Sequence, residues 1–364
     1  MNLVGKRMKA AVLEAPQRLV LKEVPIPQLK EDEVLVKVGA CGICGSDVRY
    51  YFGENPWALH TLGKEEEMPP NVILGHEISG DIVEVGSSEL KDRIGKRVGI
   101  IAFRACGTCY YCRKGLHNLC ANMLHIGHDG RWRDVEYVPG GFAEYVPVWN
   151  DKAHIIPSDI SYEEATQLDG LAVAVHATNR GNVRPGDSVM IIGQGAIGLM
   201  TAQVVKVMGA TTVIAVDIRD KPLDVALRLG VDHTLNSKRD DVFKEVMRLT
   251  NQEGVDVVFD TVGSKETVLL GLKSLARGGR LVLVALSKER ITIDLTMLSG
   301  ERVITSSANN LYYEYTVAVK LLSSHRVQVR PFITHVFNLD EIEEAFKVAI
   351  NKDEYDAIKV VVKP

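Results

Sequence analysis

Short apolar runs, each followed by a polar or glycine-rich turn, recur along the second half of the chain. The run VMII at Val189–Ile192 is typical of a strand that is buried on both faces of a parallel sheet. Comparable runs lie at 212–216, 255–263 and 280–286, with helical or turn segments between them. This alternation predicts a doubly wound parallel sheet with helices on both faces.

The N-terminal part of the chain has a different pattern. The segments MKAAVLE, LVLKEVP and DEVLVKVGACG predict short strands of an antiparallel β unit. The last apolar segment, AIKVVVK, has no obvious pairing partner except this unit, and a helix before it carries Ile342, Ala345, Phe346 and Ala349 on one face. The sequence therefore predicts a discontinuous domain formed by 1–165 and 306–364, with a second domain inserted at 166–305.

A glycine-rich turn, GQGAIG, joins the first predicted parallel strand to its helix. The first glycine permits the tight turn, the second allows the backbone to approach a pyrophosphate, and the third allows close packing of helix and strand. The free N–H groups at the helix N-terminus attract an anion. An acidic residue ends the next strand, where it can bind the ribose hydroxyls of NAD, and an arginine two residues later could hold a 2′-phosphate or stack on adenine. The predicted nucleotide-binding residues are Gly193, Gly195, Ala196, Ile197, Gly198, Asp217 and Arg219.

A cluster of four cysteines, spaced C-x2-C-x2-C-x7-C, lies in a segment with little apolar content, at about 104–121. Thiolates at this spacing can converge on one tetrahedral ion, and four of them make a closed structural zinc site. An iron–sulfur cluster is the alternative, but its fourth cysteine and following proline do not match here. The predicted ligands of this zinc are Cys106, Cys109, Cys112 and Cys120.

Composition and charge narrow the function classes. A chain of 364 residues is long enough for two domains. Its net charge of −4 gives no general attraction to nucleic acid or to an anionic membrane. The N-terminus lacks the apolar core of a signal peptide, and no apolar run approaches the ~20 residues of a membrane span. We therefore expect a cytoplasmic protein, in which clustered cysteines favour metal over disulfides.

GICGSD, GHE, the four-cysteine cluster and GQGAIG follow one another in this order along the chain. Together these four motifs resemble the zinc-dependent medium-chain alcohol dehydrogenase/reductase superfamily, and most closely its sorbitol (polyol) dehydrogenase branch. The resemblance covers nearly the whole chain. It implies an α/β plus β fold, in which a GroES-like catalytic domain carries an inserted Rossmann domain, and an enzyme that uses zinc and NAD.

The resemblance also assigns the catalytic residues. It implies three ligands of the catalytic zinc and an intermittent or water-bridged fourth, namely Cys44, His76, Glu77 and, as the fourth, Asp169. Zinc with an open position acts as a Lewis acid on a substrate hydroxyl. Ser46 would pass the hydroxyl proton outward, and Asp47 would orient His76.

Some residues near these motifs do not follow the family pattern. Arg49 stands where the family often has a histidine that accepts the outgoing proton, and arginine cannot accept one. It could bind the pyrophosphate or be structural. The stretch 306–310, SSANN, replaces the Arg-Tyr pair of sorbitol dehydrogenases. Cys41 is expected to be a small buried residue, and four further histidines are expected to be loop or surface residues, namely His60, His117, His125 and His128.

Together these features predict an NAD-dependent zinc dehydrogenase that transfers a hydride between a secondary alcohol or polyol and NAD. Its partner would be a small alcohol or ketone, and the family implies a homodimer or homotetramer. A butanediol- or L-threonine-type dehydrogenase of the same mechanism is an alternative. From a different class, a non-catalytic nucleotide-binding redox sensor would be favoured by loss of Cys44, His76 or Glu77, and all three are present.

Overall fold

A computed structural model describes Leu3, residues 5–132 and residues 135–364, with all their side chains except those of His60, Leu62 and Trp132. The β-strands, numbered in chain order, are β1 Arg7–Ala15, β2 Arg18–Pro25, β3 Glu33–Gly42, β4 Val72–Ile73, β5 Glu77–Val85, β6 Arg97–Ile100, β7 Phe103–Arg104, β8 Leu124–His125, β9 Tyr145–Trp149, β10 Ala153–Ile155, β11 Ser188–Ile192, β12 Thr212–Asp217, β13 His233–Asn236, β14 Val255–Asp260, β15 Leu275–Leu283, β16 Val303–Ser306, β17 Ile333–Asn338 and β18 Lys359–Lys363.

The α-helices are mostly short in the first third of the chain and longer after it. They are α1 Gly45–Tyr51, α2 Tyr110–Arg113, α3 Tyr162–Ala165, α4 Leu168–Arg180, α5 Ala196–Val207, α6 Asp220–Arg228, α7 Val242–Leu249, α8 Lys265–Ser274, α9 Tyr312–Ser323 and α10 Ile342–Ile350. A π-helix spans Ala58–Leu62, and 3-10 turns span Ser88–Arg93, His117–Leu119, Gly130–Trp132, Asn150–Lys152, Leu295–Leu298, Arg330–Phe332 and Leu339–Glu341. None of the helices that the structure describes is both long enough and apolar enough to cross a bilayer.

The described residues fall into two compact units. The first unit contains 1–169, 311–323 and 333–364, and the second contains 170–310 and 324–332. The described residues of the first unit form sheets of seven, three and two strands. The largest has the strand order β10-β6-β5-β3-β18-β17, with β9 also paired to β3. A smaller sheet has the order β2-β1-β4, and β7 pairs with β8.

The last strand of the chain completes the largest sheet of the first unit. β18 pairs antiparallel with β3, with Val361 opposite Gly42, and parallel with β17. The predicted pairing of AIKVVVK with the N-terminal β unit is thus confirmed. The helix before it, α10, buries the predicted face of Ile342, Ala345, Phe346 and Ala349. An apolar stripe at helical spacing stabilises the fold when it packs on the sheet and leaves water.

The second unit is one parallel sheet with the strand order β13-β12-β11-β14-β15-β16. This is the strand order of a dinucleotide-binding fold, in which the crevice lies where the order reverses, next to β11. Its central strands are apolar on both faces, with Met190, Ile214 and Val258 fully buried. The predicted doubly wound sheet is therefore confirmed.

The hydrophobic pattern missed two outer strands of that sheet. β13, HTLN, and β16, VITS, are short and half polar because they lie at the sheet edges, where one side of each strand has no neighbouring strand. The polar segment before GHE contains the end of α1 and the π-helix Ala58–Leu62.

Candidate active site

Strand pairing brings three chemically suited side chains together in the first unit. Because Gly42 of β3 lies opposite Glu77 of β5, the end of one strand is beside the start of the other. Cys44 follows β3 as the N-cap of α1, and His76 directly precedes β5. The ligand atoms of Cys44, His76 and Glu77 all lie within 4.8 Å of one another. A side chain at position 42 would collide with Glu77, since a Cβ there would lie 2.1 Å from Oε2.

These donors suit zinc. Thiolate, imidazole and carboxylate are its usual ligands, and three protein ligands with a fourth position open are typical of catalytic sites. Ser46, two residues after Cys44, has a buried Oγ with no hydrogen-bond partner among the described residues. A buried hydroxyl without a partner is costly, so this oxygen is suited to bond a ligand at the open position.

Asp47 supports the ligands from the first turn of α1. Its Oδ2 accepts the Cys44 N–H at 2.8 Å, and its Oδ1 accepts the Gly75 N–H at 3.2 Å and lies 3.5 Å from His76 Nδ1. Burial alone would raise the pKa of Asp47, but the neighbouring His76 and His128 hold it well below its usual range. The carboxylate therefore stays ionised beside the imidazole, as a residue that orients a metal-binding histidine must.

A lysine that the sequence analysis did not select completes the charge balance. The Lys359 ammonium is buried, forms an ion pair with Glu77 Oε2 and donates to the Ile43 carbonyl at 3.1 Å. Burial would lower the pKa of Lys359, but the Glu77 carboxylate outweighs this and raises it. In the sequence, Lys359 stands out only as a charge within the apolar segment AIKVVVK. Its partner Glu77 becomes evident only from the pairing of β18 with β3.

Asp169, the proposed fourth ligand, lies near these residues but outside the close group of three. Its pKa is raised to about 6, chiefly by burial, with a lowering effect from His76 and a raising effect from Glu77. The charges of His76 and Glu77 thus affect the ionisation of Asp169, but its carboxylate is not one of the closely spaced ligand atoms of Cys44, His76 and Glu77.

Two histidines that were expected in loops or on the surface are buried. His125 and His128 are 8% and 3% exposed, and their rings lie 5.5 and 4.6 Å from that of His76 between centroids. His128 lies in the turn after β8, as expected for a loop residue, whereas His125 lies in β8 itself. Both are buried because this part of the chain packs against His76. Burial lowers the pKa of His128 to about 4. The side chain of His60 lies outside the described residues.

The remaining single residues have structural partners. Arg49 forms an ion pair with Glu54, with 2.6 Å between Nη2 and Oε2, which favours the structural alternative for this arginine. Cys41 is fully buried, as expected. His117 stacks on Tyr312 with 5.1 Å between ring centroids.

The four-cysteine segment forms a second group of converging donors between β7 and β8. The sulfurs of Cys109 and Cys112 are 3.5 Å apart, and those of Cys106 and Cys112 are 4.0 Å apart. Zn–S bonds of 2.3 Å in a tetrahedron place sulfurs about 3.8 Å apart. Backbone N–H groups point at the sulfurs, from Cys109 to Cys106 at 3.4 Å and from Cys106 to Cys120 at 3.2 Å.

The thiols of this group differ in acidity. The N–H groups of Thr108 and Cys109 lower the pKa of Cys106 to about 5, whereas burial raises the pKa of Cys120 to about 12. A cation is needed to keep all four sulfurs ionised at neutral pH. The spacing, the distances and the aimed N–H groups all fit a closed structural zinc site.

In the second unit the three glycines of the turn have distinct environments. Gly193 has φ +89° and a Cβ there would lie 2.5 Å from Thr261 Oγ1. A Cβ on Gly198 would lie 1.8 Å from the Gly193 carbonyl oxygen, whereas one on Gly195 would meet nothing within 4 Å. The first and third glycines are thus required by the turn itself. The second leaves space in front of Ala196 and Ile197, where α5 begins.

Asp217 ends β12 beside this turn. Its Oδ2 accepts the Gln194 N–H at 2.6 Å and its Oδ1 accepts the Arg219 N–H at 2.9 Å. The carboxylate therefore joins the glycine turn to the start of α6, next to the carboxyl end of β11. This is the position of the ribose-binding acid in dinucleotide-binding folds.

These features define a class: a zinc-binding dehydrogenase with a nicotinamide dinucleotide site. Family models agree, since that of the alcohol dehydrogenase GroES-like domain matches residues 30–158 and that of the zinc-binding dehydrogenases matches residues 196–324. The chain belongs to the zinc-dependent medium-chain alcohol dehydrogenase superfamily, in its sorbitol dehydrogenase-like branch, which confirms the family resemblance.

Individual relatives match over almost the full length. The chain is 32% identical over 364 residues to the sorbitol dehydrogenase of Bacillus subtilis, covering 100% of this chain and 99% of the relative. It is 33% identical over 347 residues to the L-threonine 3-dehydrogenase of Bacillus velezensis, covering 94% and 96%. A crystal structure of an alcohol dehydrogenase from E. coli CFT073 with NADH is similar with a TM-score of 0.86 and 27% identity, covering 99% and 100%.

Proposed function

We propose that this protein oxidises a secondary hydroxyl of a polyol, or reduces the corresponding ketone, with NAD as the hydride acceptor or NADH as the donor. The observation that carries the proposal is the group of Cys44, His76 and Glu77 with the unpartnered Ser46 Oγ beside it. The first unit would be the catalytic domain and the second the NAD-binding domain. The similarity to sorbitol dehydrogenase supports a polyol as substrate.

The residues of the site divide the work. Zinc, held by Cys44, His76 and Glu77, would supply Lewis acidity toward the substrate oxygen. Ser46 would accept a hydrogen bond from the substrate hydroxyl and give its own proton to solvent. Asp47 fixes the imidazole of His76, and Lys359 neutralises Glu77, so the site does not carry two uncompensated carboxylates.

The substrate proposal is tested by a screen on the purified enzyme. Polyols, 2,3-butanediol, L-threonine and sugar alcohols are supplied with NAD, and NADH formation is followed by absorbance. The highest kcat/KM for a polyol supports the proposal. A preference for L-threonine or butanediol would favour the alternative dehydrogenases, and no turnover of any alcohol by zinc-loaded enzyme would favour a non-catalytic sensor.

We also propose a preference for NAD over NADP. Asp217 supplies a carboxylate where a 2′-phosphate would lie, and like charges repel. Comparison of kcat/KM for the two cofactors tests this preference, and an equal or higher value with NADP would contradict it. Arg219, at the N-cap of α6, is the residue through which NADP could be accepted.

Two further expectations, on oligomeric state and on location, complete the proposal. We expect a homodimer or homotetramer, which light scattering of the purified protein measures directly. We expect a cytoplasmic location, since all six cysteines lie in the described residues as free thiols and thiolate zinc sites persist in a reducing compartment.

A further inference from the structure

His128 lies beside the carboxylate that supports the proposed catalytic zinc. Its Nε2 is 3.5 Å from Asp47 Oδ1, the same distance as that between His76 Nδ1 and the same oxygen. The side chains of His128 and Asp47 are 4% and 0% exposed. The carboxylate of Asp47 thus faces two imidazoles, of which the sequence motifs identify one.

Stacking fixes the ring of His128 in this position. It lies between the rings of Tyr50 and His125, with centroid distances of 4.5 and 4.6 Å and interplanar angles of 25° and 12°. Its centroid is also 4.6 Å from that of His76. A ring packed on several sides cannot turn away from Asp47 without moving its neighbours.

The ring nitrogens of His128 are buried, and neither has a hydrogen-bond partner within normal distance among the described residues. A neutral imidazole carries one N–H. An unsatisfied buried donor costs about 1–3 kcal/mol, and Asp47 Oδ1 is the acceptor that Nε2 faces. Shortening the present 3.5 Å by a few tenths of an ångström gives a normal N–H···O bond.

We propose that His128 is a positioning residue for the catalytic zinc. Its Nε2–H donates to Asp47, and the Asp47 carboxylate, which then accepts from both His128 and His76, holds the imidazole of His76 in the orientation that ligates the metal. This inference rests on the proposed zinc at Cys44, His76 and Glu77. A residue that orients a metal ligand through hydrogen bonds changes metal affinity without touching the metal.

The test compares substitutions that place or remove a donor at the same point. His128→Gln puts an amide nitrogen near the position of Nε2, His128→Asn puts one near Nδ1, and His128→Phe keeps the ring but removes both nitrogens. His125→Phe is the matched control, because His125 packs against the same ring but its Nδ1 bonds the Ile126 carbonyl at 2.7 Å.

The first measurement is zinc transfer from holoenzyme to a colorimetric chelator, with the structural zinc as an internal standard. We expect the catalytic zinc to be lost about 10–100-fold faster from His128→Phe and His128→Asn than from the wild type. His128→Gln and His125→Phe should stay within a few-fold of the wild type. Cobalt at the catalytic site should show a changed visible spectrum in His128→Phe but not in His125→Phe.

Three results would overturn the inference. Equal zinc loss from His128→Phe and His125→Phe would mean that the ring only fills space. Equal retention by His128→Gln and His128→Asn would mean the same, and this pair decides the question if His128→Phe does not fold. A third equivalent of metal in the wild type that disappears in His128→Phe would make His128 a ligand instead.

The inference and the proposed function fail in different ways. If the wild type holds only one zinc per chain and none at Cys44, the proposed catalytic site is absent and both fail. If the wild type holds two zincs and His128→Phe keeps both as tightly, only the role of His128 is rejected.

Discussion

At the scale of single residues, Ser46 stands out because its buried Oγ has no hydrogen-bond partner among the described residues. It lies in the first turn of α1, next to Asp47. A hydroxyl in this state is available to a substrate. Position 49, where the family often has a proton-accepting histidine, carries an arginine that is paired with Glu54.

We therefore predict that Ser46→Ala lowers kcat on the order of 10²-fold, in line with the loss of a positioned proton-transfer group. Zinc content and the dissociation constant of NADH should remain those of the wild type. Steady-state kinetics with the best substrate measures the effect, and Arg49→Ala is the comparison, which should change kcat only a few-fold. An unchanged kcat in Ser46→Ala would exclude this serine from the proton path.

Asp169 gives a prediction about pH. Its pKa of about 6 in the folded chain lies above the usual 3.8, so the folded state binds more protons than the unfolded state between these values. Stability contributed at this position is then present below about pH 4 and is lost as the pH rises through about 6. Replacing Asp169 by a neutral residue should therefore increase the free energy of unfolding only at the higher pH.

In chelator-treated protein, Asp169→Asn should raise the free energy of unfolding by about 1–2 kcal/mol near pH 7.5 and by little near pH 4, after allowance for solvent screening. Denaturant unfolding at the two pH values measures the difference. The same gain at both pH values would show that ionisation of Asp169 is not the cause. Zinc-loaded protein is the control, since a cation nearby favours the ionised carboxylate.

At the scale of elements, the glycine turn separates folding from binding. Gly198 allows α5 to approach the turn, because a Cβ there would lie 1.8 Å from the Gly193 carbonyl oxygen. Gly195 has φ −68° and open space around it. The two glycines are three residues apart but have different roles. Gly198 is required by packing inside the protein, whereas Gly195 keeps open the space where a pyrophosphate would bind.

Gly198→Ala should therefore destabilise the second unit by several kcal/mol, because backbone atoms must move to admit the methyl group. Gly195→Ala should leave the melting temperature nearly unchanged and weaken NADH binding about tenfold or more, since the methyl group occupies space in front of the helix N-terminus. Thermal melts and fluorescence titration with NADH measure the two effects. Equal destabilisation by both changes would contradict this assignment.

The four-cysteine segment is an element that we expect a metal to hold together. It has few apolar residues, and its sulfurs already lie at distances near those of a tetrahedral zinc site. Binding free energy at a closed thiolate site contributes directly to folding. Loss of one ligand should thus destabilise the lobe before it affects the chemistry.

Metal analysis of Cys109→Ser should give one zinc per chain, against two in the wild type, with a lower melting temperature. Cys41→Ala is the control, because Cys41 is buried but lies in neither ligand group, and it should keep both zincs. If Cys109→Ser also kept two zincs, the lobe would not be a zinc site.

At the scale of the whole molecule, the two units contain different proposed sites. The proposed zinc ligands all belong to the first unit, and the glycine turn and Asp217 belong to the second. Cys44→Ser should therefore lose the catalytic zinc and nearly all activity while it binds NADH with an unchanged dissociation constant. Zinc analysis, turnover and NADH titration test this together. Wild-type turnover by a zinc-free Cys44→Ser enzyme would exclude the metal mechanism.

The sequence by itself determined the features that depend on local pattern. Apolar runs separated by turns predicted the parallel sheet, spaced glycines predicted the turn before α5, and spaced cysteines predicted the group of converging sulfurs, because each depends on residues close together in the chain. The pairing of the last strand with the N-terminal unit was also predictable, since an apolar strand must find a sheet. The edge strands β13 and β16 were not, because exposed edges lack the apolar signal.

Only the tertiary structure decided which distant residues share a site. Lys359 reaches Glu77 because β18 pairs with β3, and His128 reaches Asp47 because the chain after β8 folds back over α1. A lysine in an apolar strand gives only a weak signal, and a histidine in a polar loop gives none. Their roles come from burial beside a charge, and burial is a property of the packed molecule that no short stretch of sequence contains.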